Sequence, residues 1–114
     1  MAPLRSDLWC AAFVRRQNDL GHFCVVSRRG DPIAGQIWIE VDHLNGTASL
    51  FTPAPTLARP DDDGVEPVFQ CRFDHVDPER IQERVATELR FDPDLWLLSV
   101  ASRANDFGLE VVLP

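Results

Sequence analysis

Residues 8–16, LWCAAFVRR, carry apolar side chains at odd and even positions alike before ending on two arginines. A half-buried strand alternates and a surface helix keeps a polar face. A short run with neither habit reads as a central strand covered on both sides. QNDLG at 17–21 then supplies turn chemistry, and HFCVVSRR at 22–29 follows as the partner strand of a first hairpin. If that hairpin closes between Arg16 and His22, Trp9 faces Arg29 as a cation–π pair, Cys24 faces Val14 and Cys10 faces Arg28.

GDPIAG at 30–35 is a loop, because Asp31 before a proline is pushed out of the helical region and Gly30 relaxes the backbone beside it. QIWIEVDH at 36–43 alternates most cleanly, with Ile37, Ile39 and Val41 on one face and Gln36, Trp38, Glu40 and Asp42 on the other. Asn45-Gly46 predicts a two-residue type I′ hairpin into ASLFT at 48–52. Residues 53–67, PAPTLARPDDDGVEP, are rich in proline and acid and read as a mobile surface loop. A fifth strand, VFQCRF at 68–73, leads to Asp77-Pro78, an N-cap followed by a proline at the first helical position. Ile81, Val85 and Leu89 then recur at helical spacing through about Arg90. LWLLSVASR at 95–103 and LEVVL at 109–113 are the last strands, with a turn near 104–106.

These elements predict one α+β domain over residues 1–114. The sheet is expected to be mainly antiparallel and curled, with six or seven strands, or a partial barrel. One principal helix, at about 78–90, precedes the penultimate strand. A helix about 10 Å wide hides roughly two strands at ~4.8 Å spacing, so part of the apolar sheet needs another cover. A second copy of the chain, as a homodimer, or another protein partner is the expected cover.

The 114 residues carry a formal charge of −7; every one of the 11 basic residues is arginine, and tyrosine is absent. So acidic a chain is repelled by phosphate backbones and anionic lipid, and neither nucleic acid nor membrane is an expected partner. Without lysine or tyrosine, Schiff-base chemistry, a P-loop lysine and a tyrosine acid are excluded. No apolar signal-like run opens the chain, no apolar stretch is long enough to span a bilayer, and the 3 cysteines make no disulfide framework. The expected location is the cytoplasm.

No serine elbow, glycine-rich phosphate loop or CxxC pair occurs, so the sequence assigns no catalytic residue, no cofactor and no metal. His22, Cys24, Cys71 and His75 carry ligating atoms without ligating spacing, and buried cysteine acting as a small hydrophobe is the better account. Three groups remain as ligand- or partner-binding candidates. Arg28, Arg29 and Asp31 make a charged corner able to receive an anion. Trp38, Glu40 and Asp42 share a strand face, the pattern of a partner surface or a cleft wall. Arg90, Asp92, Asp94 and Trp96 crowd into RFDPDLW at 90–96. Neighbouring carboxylates can separate their pKa values for acid–base work, so a small hydrolase or an anion- or nucleotide-binding domain is the alternative to a non-catalytic interaction module. Yet the heptapeptide also reads as architecture. Arg90 closes a helix, the Asp92 side chain accepts the Asp94 amide, and Phe91 and Trp96 anchor either side.

Four stretches in this order, LW-AA-VRR, RRGD…AG at 28–35, FTPAP at 51–55 and RFDPDLW at 90–96, resemble a family of small alphaproteobacterial proteins known only as a domain of unknown function. The resemblance spans nearly the whole chain. It implies a bacterial α+β domain and supplies no activity, cofactor or catalytic residue. Members commonly continue with WVVE, where this chain reads LWLLS and has Ser99 at the acidic position, so any chemistry carried by that glutamate is missing here.

Overall fold

Ser6–Asp19 is a helix, α1, not a strand and turn, and the expected first hairpin does not form. The computed structural model describes residues 5–55, 67–104, 107–109 and 111–112. Of the expected loop and turn, residues 56–66 and 105–106 lie outside that set. Helical geometry gathers Ser6, Trp9, Cys10, Phe13 and Gln17 into one buried stripe and leaves Leu8 exposed. The stripe begins and ends on polar residues, which is why its period is hard to see in the sequence.

The strands are β1 (Phe23–Arg28), β2 (Ile37–Asp42), β3 (Ala48–Pro53), β4 (Phe69–Val76), β5 (Trp96–Ala101) and β6 (Val111–Val112), with helix α2 (Pro78–Phe91) between β4 and β5. They form one open sheet in the order β1-β5-β2-β3-β4-β6. It is mixed, not mainly antiparallel: β1/β5, β2/β3 and β3/β4 are antiparallel, and β2/β5 and β4/β6 are parallel. The α2 crossover carries the chain back so that β5 enters beside β2, with Ile37 opposite Trp96 and Val41 opposite Val100. The chain therefore closes no barrel.

A helix packs on each face of the sheet. Against α1, Trp9, Cys10 and Phe13 pack on Cys24, Ile37, Ile39, Val41, Trp96, Leu98 and Val100, with the Trp9 and Phe13 rings stacked at 5.1 Å. Against α2, Ile81 and Val85 pack on Trp38, Ala48 and Leu50. Helix α1 thus covers apolar sheet surface for which the sequence leads one to expect a partner. Burying one such large side chain contributes about 1.5–3 kcal/mol, so these two layers dominate the favourable energy.

Helix α2 starts as expected: Pro78 is its first residue, and the Asp77 side chain accepts the Glu79 amide at 3.0 Å. Helix α1 has no side-chain cap. Its free amides find loop carbonyls instead, Ser6 N–H donating to Ile33 at 3.2 Å and Asp7 N–H to Pro32 at 2.9 Å. At its other end, Asn18 donates to the Cys24 carbonyl at 3.0 Å and accepts the Cys24 amide at 3.1 Å. That side chain thereby stands in for a neighbouring strand on the outer edge of β1. The β2–β3 connection is longer than a two-residue turn. His43 N–H donates to Thr47 O, and the positive φ angles fall on Leu44 and Gly46, not on Asn45-Gly46.

Candidate functional site

Two motifs that stand far apart in the sequence meet at the start of β5. Asp31 N–H donates to the Asp94 carbonyl at 3.0 Å, and the Trp96 indole donates to the Asp31 carbonyl at 2.7 Å. A Cβ on Gly30 would lie 2.0 Å from the Asp94 oxygen, and one on Gly35 would lie 2.4 Å from it. Only glycine allows that backbone approach. The Asp31 carboxylate accepts the Ile33 and Ala34 amides, so it shapes its own loop. Arg28 donates to the Pro93 carbonyl at 2.9 Å. Arg29 lies 5.2 Å over Trp96, not over Trp9 as the hairpin register required.

The aspartates of RFDPDLW are engaged in the same way. Asp92 accepts the Asp94 amide at 3.0 Å, the Asx-type turn expected, and also accepts Gln36 Nε2 at 2.6 Å. Gln36 in turn accepts the Trp38 indole at 2.8 Å and donates to Glu88. Trp38 is buried beneath α2 with the Arg84 guanidinium 5.1 Å over its ring, so it offers no surface to a partner. Trp96 is buried as an anchor, whereas Phe91 is 80 % exposed and anchors nothing. Arg90 and Asp94 project from the surface. Asp92 and Asp94 do not converge with Glu40, which lies four residues beyond Gln36, roughly 13 Å along a strand.

Glu40 and Asp42 reach a different place. With exposed Phe23 and Val25, and with Ser99, Ala101, Pro78 and Gln82, they line a groove of about 290 Å³ between the β1–β5–β2 surface and the start of α2. Ser99 stands opposite Glu40 in the parallel pairing, donates its hydroxyl to Glu40 Oε1, and shares a hydrogen bond with Ser27. Among the described residues the Asp42 carboxylate accepts the Leu44 amide, at 2.8 Å, and no other donor. Among the described residues neither carboxylate has a cationic partner.

A third cluster, His43 with His75, has no signal in the sequence beyond the ligating atoms of His75. The two rings stack with centroids 3.8 Å apart and 6° between planes. Buried Ser49 sits 2.8 Å from His43 Nε2 and accepts the His75 amide at 3.0 Å. The hydrogen bond from His75 is first in holding the Asp74 carboxyl below its ordinary range. Burial, then the neighbouring His75, holds His43 below its ordinary value. Burial pushes the Cys10 thiol up to about 12 and Cys24 up to about 11, so both behave as core residues. His22 is occupied by Gln17, at 2.7 Å, and by the edge of Phe107. Among the described residues no group of three or more His, Cys, Asp or Glu gathers as a metal site, and no helix is long and apolar enough to cross a membrane.

The family described as "Protein of unknown function (DUF1491)" matches residues 4–110. A crystal structure of a DUF1491 family protein from Caulobacter crescentus is similar with 28% identity and a TM-score of 0.78, over 96% of this chain and 98% of that one. A solution structure of a protein from A. tumefaciens is similar with 30% identity and a TM-score of 0.82, over 97% of both chains. No curated protein matches.

Proposed function

The chain belongs to the DUF1491 family, proteins of unknown function, and from that premise we propose that it is a non-catalytic interaction module whose β1–β5–β2 groove binds a protein partner. The observation that carries this reading is the groove's composition: exposed Phe23 and Val25 beside Glu40 and Asp42, carboxylates with no cation of their own among the described residues. Apolar surface next to unneutralised acid is complementary to a segment that sets arginine or lysine beside an aliphatic side chain. Ser99 fixes one oxygen of Glu40 and leaves the other for an incoming cation. An added strand is the less suitable partner, because Asn18 already occupies the backbone groups of Cys24 on the edge of β1.

The test is an NMR titration of the labelled chain with short peptides alternating leucine and arginine, against controls with glutamate replacing arginine. Saturable shifts at Phe23, Val25, Glu40 and Ser99 with the basic peptide alone support the reading. Glu40→Gln is expected to weaken them about tenfold, the size of one charge-assisted hydrogen bond. Equal response to both peptides, or shifts elsewhere, overturns it. Sedimentation of the free chain tests the other occupant: a dimer broken by Phe23→Ser would give the groove to a second copy.

A further inference from the structure

We propose that the pocket lined by His43, Leu44, Asn45, His75 and Arg103 binds a small oxyanion, a phosphate or carboxylate group, between the Arg103 guanidinium and the two stacked imidazoles. The pocket is open, about 400 Å³ in volume, and among the described residues no acidic side chain lines it, within a chain of charge −7. Arg5 and Arg84 are paired with carboxylates, Arg28 with a carbonyl, and Arg29, Arg72 and Arg80 lie over aromatic rings. Arg103 is exposed and, among the described residues, makes no hydrogen bond, ion pair or ring contact. At the anion corner suggested by Arg28 and Arg29, Arg28 already donates to a carbonyl and Arg29 lies over Trp96, whereas, among the described residues, the Arg103 guanidinium lines a pocket without such a partner.

Backbone geometry supports the assignment independently. Among the described residues, the non-glycine positions with positive φ are Leu44 at 61° and His75 at 51°, and both line this pocket. His75 lies in a β-bulge: Ala48 pairs with Val76 and Leu50 with Phe73, so Ser49 alone faces Asp74 and His75. A left-handed backbone strains a side-chain-bearing residue, and glycine would fit there without strain. The histidine that stays is aimed by the bulge onto His43.

The proton positions suit an anion. Ser49 accepts the His75 amide, and its own hydroxyl lies nearer His43 Nε2, at 2.8 Å, than Asp74, at 3.4 Å. Donation to His43 leaves the neutral ring with its proton on Nδ1, a second donor. Asp74 accepts His75 Nδ1–H, so an added proton on that ring becomes an N–H at Nε2. The charged groups acting on the stack are Asp74 from β4, Asp42 from the end of β2, and each ring on the other. The carboxylates favour a proton there and the facing ring opposes a second. An oxyanion against the rings and Arg103 offsets that repulsion, so anion binding and proton uptake are linked.

The experiment follows the His43, His75 and Arg103 side-chain resonances of the whole chain during titration with sodium phosphate and, separately, sodium acetate. Sodium chloride holds ionic strength constant, and the series is run at about pH 6 and about pH 8, either side of the imidazole range. Saturable shifts are expected, with affinity about fivefold weaker at the higher pH and about tenfold weaker in Arg103→Gln, the size of one charge-assisted hydrogen bond. His43→Gln is expected to reduce the pH dependence. Saturation by phosphate alone assigns a phosphate group, and saturation by acetate as well assigns any carboxylate or phosphate. Shifts that chloride reproduces, that do not saturate, or that survive Arg103→Gln unchanged overturn the site. Binding equal at both pH values overturns the imidazole grip.

Discussion

The two ends of strand β5 are built on opposite rules. At its start, Asp31, Arg28, Gln36, Asp92 and the Asp94 backbone satisfy one another, and two glycines let the chains touch. At its end, Ser99 and Ala101 look into a groove where Glu40 and Asp42 have no counter-charge among the described residues and Phe23 faces solvent. The first end is rich in motif, and most of its polar groups are engaged with one another. The second has no motif and keeps its chemistry free. A conspicuous local sequence can therefore mark crowding, while an open surface is written in ordinary alternation.

The comparison breaks most easily at the crowded end. Gly35→Ala puts a methyl into backbone and is expected to cost about 3 kcal/mol or more, read as a large fall in melting temperature. A melting temperature unchanged in that variant would mean the two motifs are not in contact. Asp92→Ala removes an acceptor from both Asp94 and Gln36 and should cost about 2 kcal/mol in denaturant unfolding.

Acid should act on the histidine cluster next. His43 is depressed in the folded state, so the unfolded chain binds the extra proton first. Stability then falls as pH drops through the ordinary value of 6.5 and levels off once the folded-state value is passed. Asp74 is also depressed, and adds a second loss as pH falls below its ordinary 3.8. Melting curves recorded against pH should show both steps, and His43→Gln should erase the upper one. At the open end, Glu40→Gln should shift stability by no more than about 0.5 kcal/mol while weakening peptide binding. A large loss of stability there would show that the fold depends on Glu40 as heavily as it does on Asp92.

Legibility followed the same division. β2 to β5, the Asp77-Pro78 start of α2 and the Asp92 turn were readable because local chemistry decides them. α1 was not, because its buried stripe includes Ser6 and Gln17, whose partners are the Gly35 and Phe107 carbonyls far along the chain. A run from 4 to 20 without glycine or proline was the available hint, since strands are rarely so long. The parallel insertion of β5 beside β2 depends on an α2 crossover that alternation cannot announce. The burial of Trp38 is hidden in the sequence for a related reason: its polar neighbours suggest solvent, yet α2 lies over it. His43 went unnoticed because nothing but the bulge at His75 brings the rings together.

Gln17, fully buried near the end of α1, donates to the Phe107 carbonyl at 2.7 Å, and the other end of the helix is capped by the 30–35 loop that Asp94 holds in place. During synthesis α1 leaves the ribosome long before either support exists. A chain arrested before Phe107 therefore leaves Gln17 without its carbonyl partner, and one arrested before β5 leaves Trp9 and Phe13 without Trp96, Leu98 and Val100 to pack on.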